Sequence, residues 1–395
     1  MKISIQIWLA MLVLSLSCFV IVTTELAPIG LISSLAGDLN QSEANIGLIV
    51  TGYGWLAAVS ALLSMLLFAR ISRKILLVVL MFGLALSSFM VAISDSLSTI
   101  FLARALGAIA HGAFWALIGG VTYSLVPKEK LGLATSIIFS GVSIASALGI
   151  PLASFLNQIS DWRVVFTAIG GLSIITCLML LCLVPHLPKT EVVSGKLLLK
   201  SFKNKKLNYI FALTTLVIVC HFAAFTFITP YLLNVIQLPR AELTWYLLCF
   251  GLFGFMGNIL IGRFIDRYLM WIIVTAILSI VLVLLGMHWT HVEAGWPILI
   301  LLSVWGTAIA ILFVALQTWM LKTAQQEAQS AAAIYVAIFN ASIGFGALLG
   351  GQLIEYGSFN LLYPLLAGIL LLGLIILGLA QRANQSLPRD SGTWG

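Results

Sequence analysis

Uncharged apolar runs of roughly 20 residues, each long enough to cross a bilayer as a helix, recur along the chain. Short breaks between them collect most of its charges. Twelve such runs can be counted, near 7–33, 44–68, 75–94, 98–122, 132–157, 163–184, 208–236, 241–262, 269–288, 296–321, 329–354 and 359–381. Most breaks are shorter than about a dozen residues, too short for a folded domain of their own. The exception is "PHLPKTEVVSGKLLLKSFKNKK" (Pro185–Lys206), which parts the runs into two sets of six. The pattern predicts an all-α membrane protein with twelve transmembrane helices in two pseudo-symmetric six-helix bundles, 1–184 and 208–381. A linker at 185–207 and a tail at 382–395 complete the expected organisation.

Composition agrees with this picture. Hydrophobic residues make up 61% of the chain and charged residues only 8%, whereas a water-soluble domain carries about a quarter charged residues. The five cysteines all sit in apolar runs without CxxC spacing, and read as small buried hydrophobes rather than disulfides or metal ligands. The stretch "MKISIQIWLAMLVLSLSC" has the outline of a secretory or lipoprotein signal. However, Ser15 stands where a lipoprotein signal wants a branched aliphatic residue, and the apolar run continues past Cys18. It is expected to be retained as the first span.

Lysine and arginine set the expected orientation. With a cytoplasmic N-terminus, all but three of the 20 basic residues (Arg104, Arg163 and Arg240) fall on the inner side, and Arg104 is placed near the outer end of span four. Both termini are therefore expected in the cytoplasm. The net charge of +7 is a topology signal rather than a nucleic-acid footprint, so no nucleic-acid partner is expected.

The two sets of six can be superposed. Pro28 matches Pro230, Gly107 matches Gly306, and Ser143-Ile144 matches Ser342-Ile343, with shifts of about 200 positions in each case, as in transporters built from repeated halves. Only the first half carries an acid at the matched place: Glu25, in "VTTELAPIG", has Phe227 as its counterpart. An ionised carboxylate near the bilayer centre costs several kcal/mol. It persists where it faces a wet cavity, is protonated or has a cationic partner. Glu25 is thus the expected proton-coupling or substrate-binding acid, the alternative being a structural cap buried among helices.

Several segments resemble the major facilitator superfamily. Its loop motif after span two, approximately G-x-L-A-D-R-x-G-R-R, appears here as M-L-L-F-A-R-I-S-R-K (Met65–Lys74). This keeps Arg70, Arg73 and Lys74 but has Ala69 in place of the acid. The second copy, G-R-F-I-D-R-Y from Gly262, keeps Gly262, Asp266 and Arg267. The resemblance implies a gating role for these residues, with Asp266 and Arg267 serving where Ala69 cannot. The other reading is that Arg70, Arg73 and Lys74 only set topology. Span four, "FLARALGAIAHGAFWALIGG", resembles the R-x-x-x-G pattern, with Arg104 at the arginine. Span five, "SGVSIASALGIPLASFL", resembles the exporters' glycine-proline motif through Gly149 and Pro151. With "TTELAPIGLISSLAGDL" and "FNASIGFGALLGG", the chain is most similar to bacterial sugar efflux transporters of the drug:proton antiporter branch. That likeness implies export of arabinose, related sugars or thiogalactosides, with the proton gradient as energy source and no cofactor. It also implies a monomer in the bacterial cytoplasmic (inner) membrane.

In that fold, spans one, four, seven and ten line the cavity, so His111 and His221 are expected to share a space with Glu25. His111 is expected to relay protons; a buried neutral histidine bonded to a carbonyl is the alternative for each. Sugar recognition asks for aromatic faces and hydrogen-bonding amides. Tyr53, Trp115, Phe225, Gln317 and Asn340, together with Glu25, His111 and His221, are the substrate-binding candidates. Three other classes stay open: a multidrug:proton antiporter, a proton-coupled uptake symporter, and a membrane enzyme or receptor. The last would need a catalytic constellation or an extramembrane domain, and neither HExxH nor GxSxG nor a long loop appears. An ATP-driven transporter is excluded by the lack of GxxxxGK[ST].

Overall fold

The computed structural model describes residues 4–67, 71–127, 130–186, 203–262, 264–290, 295–325 and 328–385. Arg70, the central part of the linker and the end of the tail lie outside the described residues. The helices are α1 (Ile5–Leu26), α2 (Glu43–Leu67), α3 (Arg73–Ala92), α4 (Leu97–Leu125), α5 (Leu131–Ile159), α6 (Trp162–Leu183), α7 (Lys205–Phe225), α8 (Arg240–Ile261), α9 (Ile265–Trp289) and α10 (Gly295–Ala324). A last helical stretch, Ala328–Gln385, breaks at Ser358, where φ is 59°. At 58 residues and about 1.5 Å per residue, it is far too long for one crossing. Its parts, 328–357 and 359–385, are α11 and α12. Among the described residues, eleven helical segments are long and apolar enough to span a membrane, and dividing the last one gives the twelve expected.

Twelve crossings return the chain to its starting face, so Ser4 and Gln385 lie on one face, here the near face, opposite the far face. Exposed aromatics bracket the apolar belt. On α9, Trp271 is near and Trp289 far, and both are largely exposed. Their separation of roughly 27 Å at 1.5 Å per residue matches a hydrocarbon core of about 30 Å, which is where interfacial tryptophans settle.

Two expected spans end differently, for one reason. Span one was expected to run to residue 33, but α1 stops at Leu26 and continues as a 3₁₀ turn, Ala27–Gly30, and a short helix, Ile32–Asp38. Span seven was expected to run to residue 236, but α7 stops at Phe225, followed by Ile228–Pro230 and a π turn, Tyr231–Val235. Pro28 and Pro230, the matched pair of the repeat, each lack the N–H that the preceding turn needs.

Buried apolar side chains form one cluster from α1 and α3–α6, around Leu14, Leu77 and Phe114, and another mainly from α7–α12, around Ile277, Trp305 and Leu312. The second cluster also takes Ile29, Val50 and Ile150, while Phe227 joins a third cluster around Ile46 and Trp162. The two sets of helices meet along α2–α11 and α5–α8. Glycines make those crossings close: a Cβ on Gly54 would stand 2.7 Å from the Asn340 carbonyl and 2.8 Å from the Gly344 nitrogen. Gly251 rests on the backbone of Ala147, whose carbonyl has no helical donor because Pro151 occupies the position four residues on. Pro151 thus frees a carbonyl at the seam between the two sets, whereas Gly149 faces Thr23 of α1 within the first set.

On the far face, the Arg163 guanidinium bonds Asp38 at 2.7 Å and Asp95 at 3.2 Å, and the Trp162 indole donates to Asp38 at 3.0 Å. This fastens α6 to the short helix after α1. The two donors hold the Asp38 carboxyl below its ordinary value, so it stabilises the fold above the unfolded pKa, near 4, and the contribution fades as pH falls through the lower folded value. Asp38 is partly exposed, so the effect is under about 1 kcal/mol. Asp38→Asn should lower the melting temperature by a few degrees at neutral pH. In thermal melts from pH 7 to pH 3, the gap from the parent protein should shrink on acidification; a constant gap would contradict the assignment.

Candidate functional site

The site begins with a carbonyl. Because Pro28 has no N–H, the Thr24 carbonyl four residues earlier loses its helical partner. Arg104 supplies one instead, donating from Nη1 at 2.8 Å. Its guanidinium lies 4.0 Å from the centre of the Tyr53 ring, and the Tyr53 hydroxyl reaches the Gly107 carbonyl at 3.4 Å. Arg104 is only 2% exposed. The sequence places it near the outer end of span four, one of the three basic residues outside the inner set, and the structure adds that it faces into the bundle, within electrostatic reach of Glu25.

Arg104, Gly107, His111 and Trp115 follow one another at helical spacing, so α4 presents them as a single stripe. Glu25 Oε2 lies 3.8 Å from His111 Nε2, beyond a direct hydrogen bond. The Trp115 indole donates to that same Nε2 at 3.0 Å, so Nε2 presents its lone pair and the imidazole proton sits on Nδ1. Tyr53 meets the His111 ring edge-on, with centroids 5.4 Å apart. Glu25 Oε1, the Thr23 hydroxyl and Arg104 Nε and Nη2 are all buried without a hydrogen-bond partner, while His111 faces the Ile21 backbone carbonyl. Buried polar atoms are nearly always satisfied, so this many in one place marks the spot as chemically unfinished. Gly149 faces Thr23 from α5, its Cβ position 3.3 Å from the Thr23 hydroxyl.

The structure therefore brings Glu25, Tyr53, Arg104, His111 and Trp115 together. His221 and Phe225 form a separate group. The His221 ring stacks on Phe225 at 4.9 Å and meets Trp305 and Phe313 edge-on, each at 5.6 Å, with Phe250 beyond Phe225. No hydrogen bond, ion pair or ring contact recorded among the described residues joins His221 to Glu25. Trp305 and Phe250 were not singled out from the sequence. Their signal was the repeat, since Trp305 precedes Gly306, the counterpart of Gly107. Asn340 is buried at the α2–α11 crossing, donating to the Val336 carbonyl at 2.9 Å, with Oδ1 unpartnered. Gln317 is exposed on α10.

The gating candidates lie toward the near face. Arg73 is buried and bonds the Gly120 carbonyl and the Ser124 hydroxyl, while Lys74 is half-buried and Gly262 exposed. Of the two residues expected to serve where Ala69 cannot, Asp266 bonds Lys322 of α10 at 2.7 Å, and the Arg267 guanidinium lies 5.3 Å from the Tyr268 ring. Adjacent residues at a helix start point in different directions, so each takes the neighbour on its own side. A cavity of about 560 Å³ between α8, α9 and α10, lined by residues such as Phe253, Ile272, Trp296 and Val304, includes none of these candidates.

Among solved structures, the chain is similar to a point variant of the nucleoside transporter NupG, with 18% identity, a TM-score of 0.76, and 95% of this chain and 99% of that one covered. It is also similar to a bacterial homologue of the human lysosomal transporter Spinster in an inward-facing, occupied conformation, with 14% identity, a TM-score of 0.74 and full coverage of both. A third is the human organic anion transporter MFSD10, with 16% identity, a TM-score of 0.69, and 93% and 98% covered. At these identities the likeness shows a shared fold. The family model of the Major Facilitator Superfamily matches residues 7–333, and with twelve spanning helices around a buried Glu25–Arg104–His111 constellation, the chain belongs to that superfamily of transporters.

Proposed function

We propose that this transporter exports small sugars or related compounds in exchange for protons, by alternating access between the helix sets 1–184 and 208–381. The observation that carries the reading is the buried Glu25, with one oxygen 3.8 Å from His111 and the other unpartnered. A lone carboxyl kept at this depth is costly unless it changes state during the cycle. Arg104 offers a counter-charge to the ionised form. His111 Nε2 can accept a proton only when the Trp115 indole releases it, so movement of Trp115 would couple proton uptake to the packing of α4. Half-buried Trp115 supplies a ring face next to these polar groups, while Tyr53 holds Arg104 in place. The His221, Phe225, Phe250 and Trp305 group, with Asn340, extends recognition into the second set. A purely aromatic contact would favour amphipathic drugs, which is the second reading.

The expected setting is a bacterial inner membrane with both termini cytoplasmic. Hydrogen bonds between the two helix sets on the far face support an inward-facing state. Purified protein in liposomes should move radiolabelled arabinose or a thiogalactoside only when a proton gradient is imposed. Transport of cationic dyes but no sugar would replace the cargo, and cargo moving down the proton gradient in the same direction as protons would replace antiport by symport.

A further inference from the structure

On the far face, the two helix sets are joined by hydrogen bonds at three places. The Thr229 hydroxyl donates to the Ile29 carbonyl at 3.0 Å. Gln158 Nε2 reaches the Arg240 carbonyl at 2.7 Å and the Thr244 hydroxyl at 3.1 Å, with Thr244 and Ser154 3.4 Å apart. The third differs in kind, because its acceptor is a carboxylate. Glu43, at the start of α2, accepts from the Ser33 hydroxyl at 2.8 Å and from Asn234 Nδ2 at 3.2 Å and 3.4 Å on its two oxygens. Ser33 belongs to the short helix that follows the break at Pro28, and Asn234 to the π turn that follows the break at Pro230. One side chain thus ties together the two segments that leave the helical path, one from each half of the repeat.

We propose that Glu43 is the latch of the far-face gate: oriented by Ser33, its carboxylate captures Asn234 of the opposite helix set and holds the transporter closed on that side. This rests on the alternating-access reading. Three features favour Glu43 over the other contacts. Hydrogen bonds to a charged acceptor are about twice as strong as neutral ones. The Ser33 bond fixes the carboxylate in advance, so little side-chain freedom is lost when Asn234 arrives. The segment from Glu25 through Ala27–Gly30 to Ser33 is short and continuous, so a change at Glu25 that shifts the end of α1 also moves Ser33, and with it the latch. The glycine crossings at Gly54 and Gly251 let the helices approach, but bring no ionised group.

The test uses the full-length protein in lipid, with native cysteines replaced and spin labels at Gln41→Cys and Ala241→Cys, exposed positions on opposite sets. The closed-to-open ratio should fall about fivefold in Glu43→Ala and in Asn234→Ala, the size of one charge-assisted bond discounted for exposure. The double variant should fall no further than either single one, because both remove the same bond. Glu43→Gln keeps an acceptor oxygen and should stay within about twofold of the parent, whereas Asn234→Asp, which sets two carboxylates face to face, should open the gate further than Asn234→Ala. Unchanged distances in the single variants, or losses that add in the double variant, would overturn the latch. A single fixed distance in the parent protein, whatever cargo and proton gradient are applied, would instead overturn alternating access, and the two failures are thereby told apart.

Discussion

Glu25→Gln should reduce proton-driven export in liposomes to the rate of vesicles without protein, while exchange of labelled for unlabelled cargo continues at equal pH on both sides. Glutamine preserves the shape of the side chain and can still hydrogen-bond near His111, so the packing around it survives. It cannot release a proton. Any step that depends on Glu25 changing charge then stops, and steps that need only the occupied transporter to reorient continue. Proton-driven export at the parent rate would remove Glu25 from the coupling. Loss of exchange along with export would make it a cargo ligand or a structural support instead.

Arg104→Met should abolish export while leaving the melting temperature within a few degrees of the parent. The opposing energies explain the modest change. Removing the guanidinium leaves the Thr24 carbonyl unpaired, at about 1–3 kcal/mol, and forfeits a desolvated cation–π contact with Tyr53, at about 2 kcal/mol. It also removes a buried charge whose desolvation costs several kcal/mol, and the methionine refills the space. Transport has no such compensation, since an ionised Glu25 would lose its counter-charge. Arg104→Lys should not restore export, because a single ammonium cannot both bond the Thr24 carbonyl and lie flat on the Tyr53 ring. The two readouts, melting and export, separate a residue needed for the cycle from one needed for folding.

How much of the site could be read from the sequence depended on whether its signal was local. Glu25 was conspicuous because a carboxylate within an uncharged run is costly wherever the run folds. His111 and Trp115 could be named as span-four residues of the right chemistry, and Tyr53 as an aromatic in span two. The motif in span four points to Arg104, but a charge count by segment carries no information on whether its side chain faces lipid or the bundle. The indole bond that fixes the His111 tautomer follows from helical spacing, but which nitrogen it chooses depends on rotamers set by packing. Asp266 and Arg267 could be named from the motif, but that Asp266 meets Lys322 and Arg267 meets Tyr268 depends on how α9 packs. The ends of spans one and seven were missed because apolar composition continues past Pro28 and Pro230 while the helix does not.

By itself, the sequence determined that this chain lives in a bilayer, crosses it twelve times and repeats its plan after six crossings. Run length, charge scarcity and a repeated shift are properties of the chain, independent of how it packs. Only the tertiary structure decided which polar groups meet. A freed carbonyl at Thr24 drew Arg104 inward, and two proline breaks carried Ser33 and Asn234 to the same carboxylate. Those meetings join residues up to about 200 positions apart, and contacts at that separation depend on the crossing of helices rather than on any local pattern.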